Sequence, residues 1–143
     1  ADIVQKCNKL GGKHGVGVVT LIEDRLVGLK VRGVYENPAA TILISAHKKL
    51  EQLVSTRHEN ELKEEMDKKW AYMTYAAQWF EPTLRHIHAY INSQNQKVSG
   101  DVTVRLHKGI CTVVALDSPH TSKCVSRIYR NLLALAAHRT WSI

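Results

Sequence analysis

A chain of 143 residues, 44% hydrophobic and 23% charged, fits one globular domain large enough to bury a core without disulfides or metal. No apolar run reaches the roughly 18 residues a membrane helix requires, and Ala1-Asp2-Ile3-Val4-Gln5-Lys6 lacks the pattern of a signal peptide, so a cytoplasmic protein without a membrane partner is expected. The formal charge of +7 invites nucleic acid, but the basic residues are dispersed: Lys48, Lys49, Lys63, Lys68 and Lys69 sit beside Glu51, Glu59, Glu61, Glu64, Glu65 and Asp67, and only the C-terminal part, with Lys123, Arg127, Arg130 and Arg139, is one-signed. The mixture over residues 48–69 describes a solvated helix face, and no nucleic-acid partner is expected.

In chain order, Asp2 as N-cap with Ile3, Cys7 and Leu10 on one side predicts a short helix over residues 2–10, ended by Gly11-Gly12. Val16 to Ile22 is β-branched and predicts a strand; Leu26 to Val31 predicts a second, with Glu23-Asp24-Arg25 as the turn. Both are partly apolar on two faces, which places them inside a sheet. Gly33 to Ala40 reads as a loop, with Pro38 keeping Asn37 out of helical geometry.

Ile42, Leu43, Ala46, Leu50, Leu53 and Val54 recur at three and four and predict a helix from about Ala40. A longer helix follows over residues 59–80, with Leu62, Met66, Trp70, Met73, Ala77 and Phe80 as its core stripe. A second flank of Tyr72, Tyr75, Ala76 and Trp79 leaves its later half little polar surface. Pro82 opens another helix, with Leu84, Ile87, His88 and Ile91 inward. Residues 101–116 read as a hairpin turned at Lys108-Gly109, and residues 124–138 as a last amphipathic helix. This order gives an α+β fold in one domain, with a mixed or antiparallel sheet of about four to five strands against three or more helices.

Chemistry-bearing motifs are sparse. Gly12 to Gly17 has the glycine spacing of a phosphate loop, but Val18-Val19 stand where Lys-Ser/Thr must be, so a helix-to-strand turn is the better reading. His86 and His88 point about 200° apart on a helix and cannot share a metal. Ser45/His47 and Ser118/His120 have no identifiable acid to complete a triad. Cys7, Cys111 and Cys124 are odd in number and widely spaced, which predicts reduced thiols. No catalytic or metal residue is assigned. Glu23 ends an apolar strand, where an unpaired carboxylate is costly to bury, and Tyr35 lies in a glycine- and proline-bounded segment, where binding side chains concentrate.

One resemblance is specific. Gly12-Lys13-His14-Gly15, Glu23-Asp24-Arg25 and Arg32-Gly33-Val34-Tyr35-Glu36-Asn37-Pro38 resemble the synthetase-domain signature of argininosuccinate synthases. Thr41-Ile42-Leu43, Ala46-His47, Trp79-Phe80-Glu81-Pro82 and Lys108-Gly109 continue the likeness in order, while Val18 and Val31 replace polar residues usual in that family. The likeness covers residues 5 to about 119, which divides the chain into a synthetase-like domain over 1–120 and a diverging helical tail over 121–143.

The resemblance implies a ligase that uses ATP with Mg to activate citrulline as an adenylate, which the amine of aspartate then displaces to give argininosuccinate in arginine biosynthesis. It implies citrulline-binding roles for Glu23 and Tyr35, a homo-oligomer, and a partner in the N-terminal nucleotide-binding half of the same enzyme. That half's phosphate loop is absent from these 143 residues, so the chain alone is expected to be inactive. An alternative is a non-catalytic assembly module derived from that domain, joining copies through the Tyr72, Tyr75 and Trp79 flank and the C-terminal helix.

Overall fold

The structure is a computed structural model and describes residues 1–121. The helix expected at 124–138, and Cys124, lie outside the described residues. The elements run α1 (Asp2–Lys13), β1 (Val18–Asp24), β2 (Lys30–Glu36), α2 (Pro38–Val54), α3 (Arg57–Tyr75), α4 (Pro82–Asn95), β3 (Asp101–His107) and β4 (Ile110–Asp117). The α+β class and the order of elements are those expected from sequence. The sheet is not: among the described residues β1 pairs only with β2 and β3 only with β4, giving two separate antiparallel ribbons. Among the described residues the first two strands therefore do not lie inside a larger sheet, and Val18, Ile22 and Val34 stand exposed.

The glycine cluster after α1 is a helix stop with defined geometry. Gly11 and Gly12 remain helical, and the left-handed residue is Gly15 at φ 68°. Val16 N–H donates to Gly11 C=O at 2.9 Å and Gly15 N–H to Gly12 C=O at 3.1 Å, the paired bonds of a Schellman motif. Val16, the apolar residue that such a motif tucks inward, is 1% exposed. Gly11 serves packing instead: a Cβ there would fall 2.6 Å from the Cβ of Pro38. That close approach lets Asn8 Oδ1 accept from the Ala39 N–H at 2.9 Å, so a side chain of α1 caps α2.

α2 starts at Pro38, which suits the first helical position because its missing N–H would be unpaired there anyway. β3 and β4 turn at Lys108-Gly109, both at positive φ, as the two-residue hairpin requires. Their inward residues, Val102, Val104 and Leu106 among them, lie half-buried, and the ribbon packs against α2. The turn also touches α1's end, with Gly109 N–H donating to His14 C=O at 2.8 Å.

Met73, Leu84 and Ile87 form the α3–α4 core, flanked by Met66, Trp70 and Ile91. Three members of the expected α3 stripe fall outside it: Ala77 is exposed, as are Leu62 at 43% and Phe80 at 98%. For Ala77 and Phe80 the cause is an early stop: Ala77 sits at φ 56°, and Gln78 N–H returns to Met73 C=O at 2.9 Å. Alanine thus occupies a left-handed position that normally takes glycine, and nothing in its side chain announces the end. The start differs too, because Thr56 and Glu59 form a reciprocal capping box two residues before the expected first turn.

α2 and α3 meet across an ionic cluster. Lys63 Nζ lies 3.1 Å from Glu51 Oε1 and 2.7 Å from Asp67 Oδ2, and His47 Nε2 lies 3.3 Å from the same Glu51 oxygen. Lys63 and Glu51 are both buried, so Lys63 does not belong to the solvated face expected of it. Desolvation pulls its ammonium downward, but the bonds to Asp67 and Glu51 outweigh that and hold its pKa above the ordinary lysine value.

Candidate functional site

Glu23 and Tyr35 are twelve positions apart, and the β1–β2 ribbon brings them together. β1 runs to Asp24, beyond the turn expected at Glu23-Asp24-Arg25, and β2 begins at Lys30 rather than Leu26. The reversal is made by residues 25–29, closed by Gly28 at φ 82° and by Arg25 N–H donating to Leu29 C=O at 2.8 Å. Tyr35 consequently lies within a strand, not in the loop expected from Gly33 onward.

In this register Glu23 pairs with Val31 and Tyr35 with Val19. Since side chains alternate along a strand, Val19, Leu21 and Glu23 share one face with Val31, Gly33 and Tyr35. Four residues separate Val19 from Glu23, about 13 Å along the strand. Tyr35 crosses that gap by lying along the ribbon, and its phenol donates a hydrogen bond to Glu23 Oε1. Arg25 Nη2 stands 3.3 Å from the other oxygen, Oε2.

The electrostatics follow from that geometry. The bond to Glu23 raises the Tyr35 pKa above the ordinary tyrosine value, with smaller pushes from burial and the carboxylate's charge, while Arg25 pulls the other way. Glu23 is fixed at both oxygens, yet a carboxylate offers about four acceptor positions, so two remain for an incoming donor. The pair is open to solvent, Tyr35 being 42% exposed. Chemically, it is an oriented anion beside a hydroxyl, suited to an ammonium-bearing ligand with a polar group nearby.

Arg25 and Gly33 belong to this arrangement and were not singled out as site residues from sequence. The period-two alternation of a strand was the signal: it links Leu21 with Glu23 and Gly33 with Tyr35 once the turn is placed at Gly28. Other polar motifs have local partners. His88 Nε2 accepts from the Trp70 indole N–H at 2.9 Å, and Ser118 Oγ donates to Ser99 C=O at 2.6 Å. Burial raises the Cys111 thiol above its ordinary value, which disfavours the reactive thiolate. A groove of about 920 Å³ between α2 and α3, lined by Leu43, Ile44, His47, Glu51, Lys63 and Asp67 among others, shares no lining residue with the Glu23–Tyr35 pair.

Comparison with known proteins identifies the family. Residues 1–129 match the arginosuccinate synthase C-terminal domain. The chain belongs to the argininosuccinate synthase family. It is 43% identical over 121 residues to the argininosuccinate synthase of Agathobacter rectalis, covering 85% of this chain and 30% of that protein. Argininosuccinate synthases of Methanopyrus kandleri and Methanocaldococcus jannaschii are each 44% identical, over 118 and 119 residues, covering 82% and 83% of this chain. The chain thus spans about 30% of the length of these relatives. No helix among the described residues is long and apolar enough to cross a membrane.

Proposed function

We propose that this chain is the part of an argininosuccinate synthase that supplies a carboxylate and a phenol to the citrulline site, in an enzyme that condenses citrulline with aspartate at the expense of ATP. The observation that carries this reading is the phenol–carboxylate contact on one face of the β1–β2 ribbon, with Arg25 on the second carboxylate oxygen. Glu23 receives the α-ammonium of citrulline, and Tyr35 offers its hydroxyl to the same ligand. Their contribution is positioning: they hold the amino-acid end while the ureido group is activated elsewhere.

ATP is bound by other polypeptide in this reading. The one glycine-rich turn in the described residues has its Gly15 and Val16 amides engaged in stopping α1, so it offers no phosphate cradle. In this reading the Mg that accompanies ATP is held with the nucleotide, on that other polypeptide. The partner is the nucleotide-binding half of the enzyme, in a cytoplasmic homo-oligomer. The exposed Tyr72 and Tyr75 at the end of α3, with Trp79 just beyond it, favour a second reading, an assembly module indifferent to citrulline.

Complementation separates the two. The chain is mixed or fused with the nucleotide-binding portion of a family member, and pyrophosphate release is followed with citrulline, aspartate and ATP. Release that requires all three substrates and both polypeptides supports the proposal. Release by the 143 residues alone, or none from the complemented pair, contradicts it.

A further inference from the structure

Gly33 sits at the centre of the Glu23–Tyr35 face, directly opposite Leu21. Its backbone does not ask for glycine: it lies within β2 and is not one of the residues at positive φ. What excludes a side chain is Tyr35. A Cβ built on Gly33 would fall 2.5 Å from Tyr35 Cε2 and 3.0 Å from both Cζ and the hydroxyl oxygen, and these are its three nearest neighbours. A glycine inside a strand weakens it, so its presence here has a reason other than the strand.

We infer that Gly33 is a positioning residue: the space left by its missing side chain is the slot along which the Tyr35 ring lies to bring its hydroxyl onto Glu23. It acts on the ligand only through Tyr35, and its meaning for citrulline rests on the reading given above. The slot explains how a tyrosine four residues out of register reaches the acid at the far end of the ribbon. An alanine at 33 lifts the ring off the strand, separates phenol from carboxylate and leaves the ribbon itself intact.

The test reads the phenol directly and needs no ligand. The full chain is labelled with [¹³Cζ]tyrosine, and of its five tyrosines Tyr35 is assigned by its absence from Y35F. In the parent chain, Tyr35 ionises above the ordinary tyrosine range because it donates to Glu23. G33A is expected to bring that ionisation back toward about 10, as E23Q does, with unchanged circular dichroism. A Tyr35 titration unmoved by G33A overturns the proposal. Should G33A fold poorly, it is repeated in Y35A. Stability equal to Y35A alone shows the ring to be the obstacle, and the same loss in both backgrounds refutes the slot. Failure of citrulline to bind the complemented enzyme would remove the ligand reading while leaving the phenol result standing.

Discussion

Replacing Lys63 with methionine tests the joint between α2 and α3. The ammonium sits on a side chain only 10% exposed, against the Glu51 carboxylate at 9% and the half-exposed Asp67. Methionine keeps much of the stem's volume and removes the charge, so the loss is electrostatic rather than a cavity. Stranding one member of a buried pair costs about 3–5 kcal/mol. His47 still stands 3.3 Å from Glu51, and the groove beside it is open to water, so the lower end applies, about 3 kcal/mol. For a domain of this size that lowers the melting temperature by roughly 10 °C. Urea unfolding followed by tryptophan fluorescence supplies the number. The double variant E51M/K63M removes both charges and should recover a large share of the loss. A K63M cost under about 1 kcal/mol, or a double variant worse than the single, refutes the argument that this pair is buried and mutually dependent.

Three further outcomes are expected. The same lysine makes stability alkali-sensitive: its folded pKa is raised, so its contribution is complete below the unfolded value of about 10.4 and is lost as pH rises through the higher folded value. The fall should shrink in K63M when melts are compared across that window. A77G should stabilise the chain by about 0.5–1 kcal/mol, because glycine tolerates the left-handed C-cap that alanine now occupies at φ 56°; denaturant midpoints decide it, and a loss would show that the cap is misplaced. N8A deletes the acceptor of the Ala39 N–H and should cost about 1 kcal/mol, with hydrogen exchange rising first at the start of α2.

The helices were largely legible in the sequence because three-and-four spacing survives in them, as in Leu84, Ile87 and Ile91. Their ends were not, where the stop was an alanine in the left-handed region or a cap supplied by Asn8 from another helix. The first ribbon misled for a different reason. Its strands are apolar on both faces, the pattern of strands inside a sheet, yet among the described residues each has only one neighbouring strand. The charged run Glu23-Asp24-Arg25 looked like a turn, whereas Gly28 made it, and this shifted the second strand by several residues. Glu23 and Tyr35 were singled out by residue type and family likeness. That they touch follows only from register, and register was the part hidden until the turn was placed.

Citrulline binding by the complemented enzyme, measured calorimetrically for the parent chain, E23Q and Y35F, bears on the central claim most directly. A carboxylate–ammonium hydrogen bond is worth about 1.5–3 kcal/mol, so E23Q should weaken citrulline about ten- to a hundredfold. Y35F should weaken it less, and ATP affinity should stay unchanged in both. Equal citrulline affinity in the parent and E23Q would contradict the assignment of this ribbon to the amino-acid site.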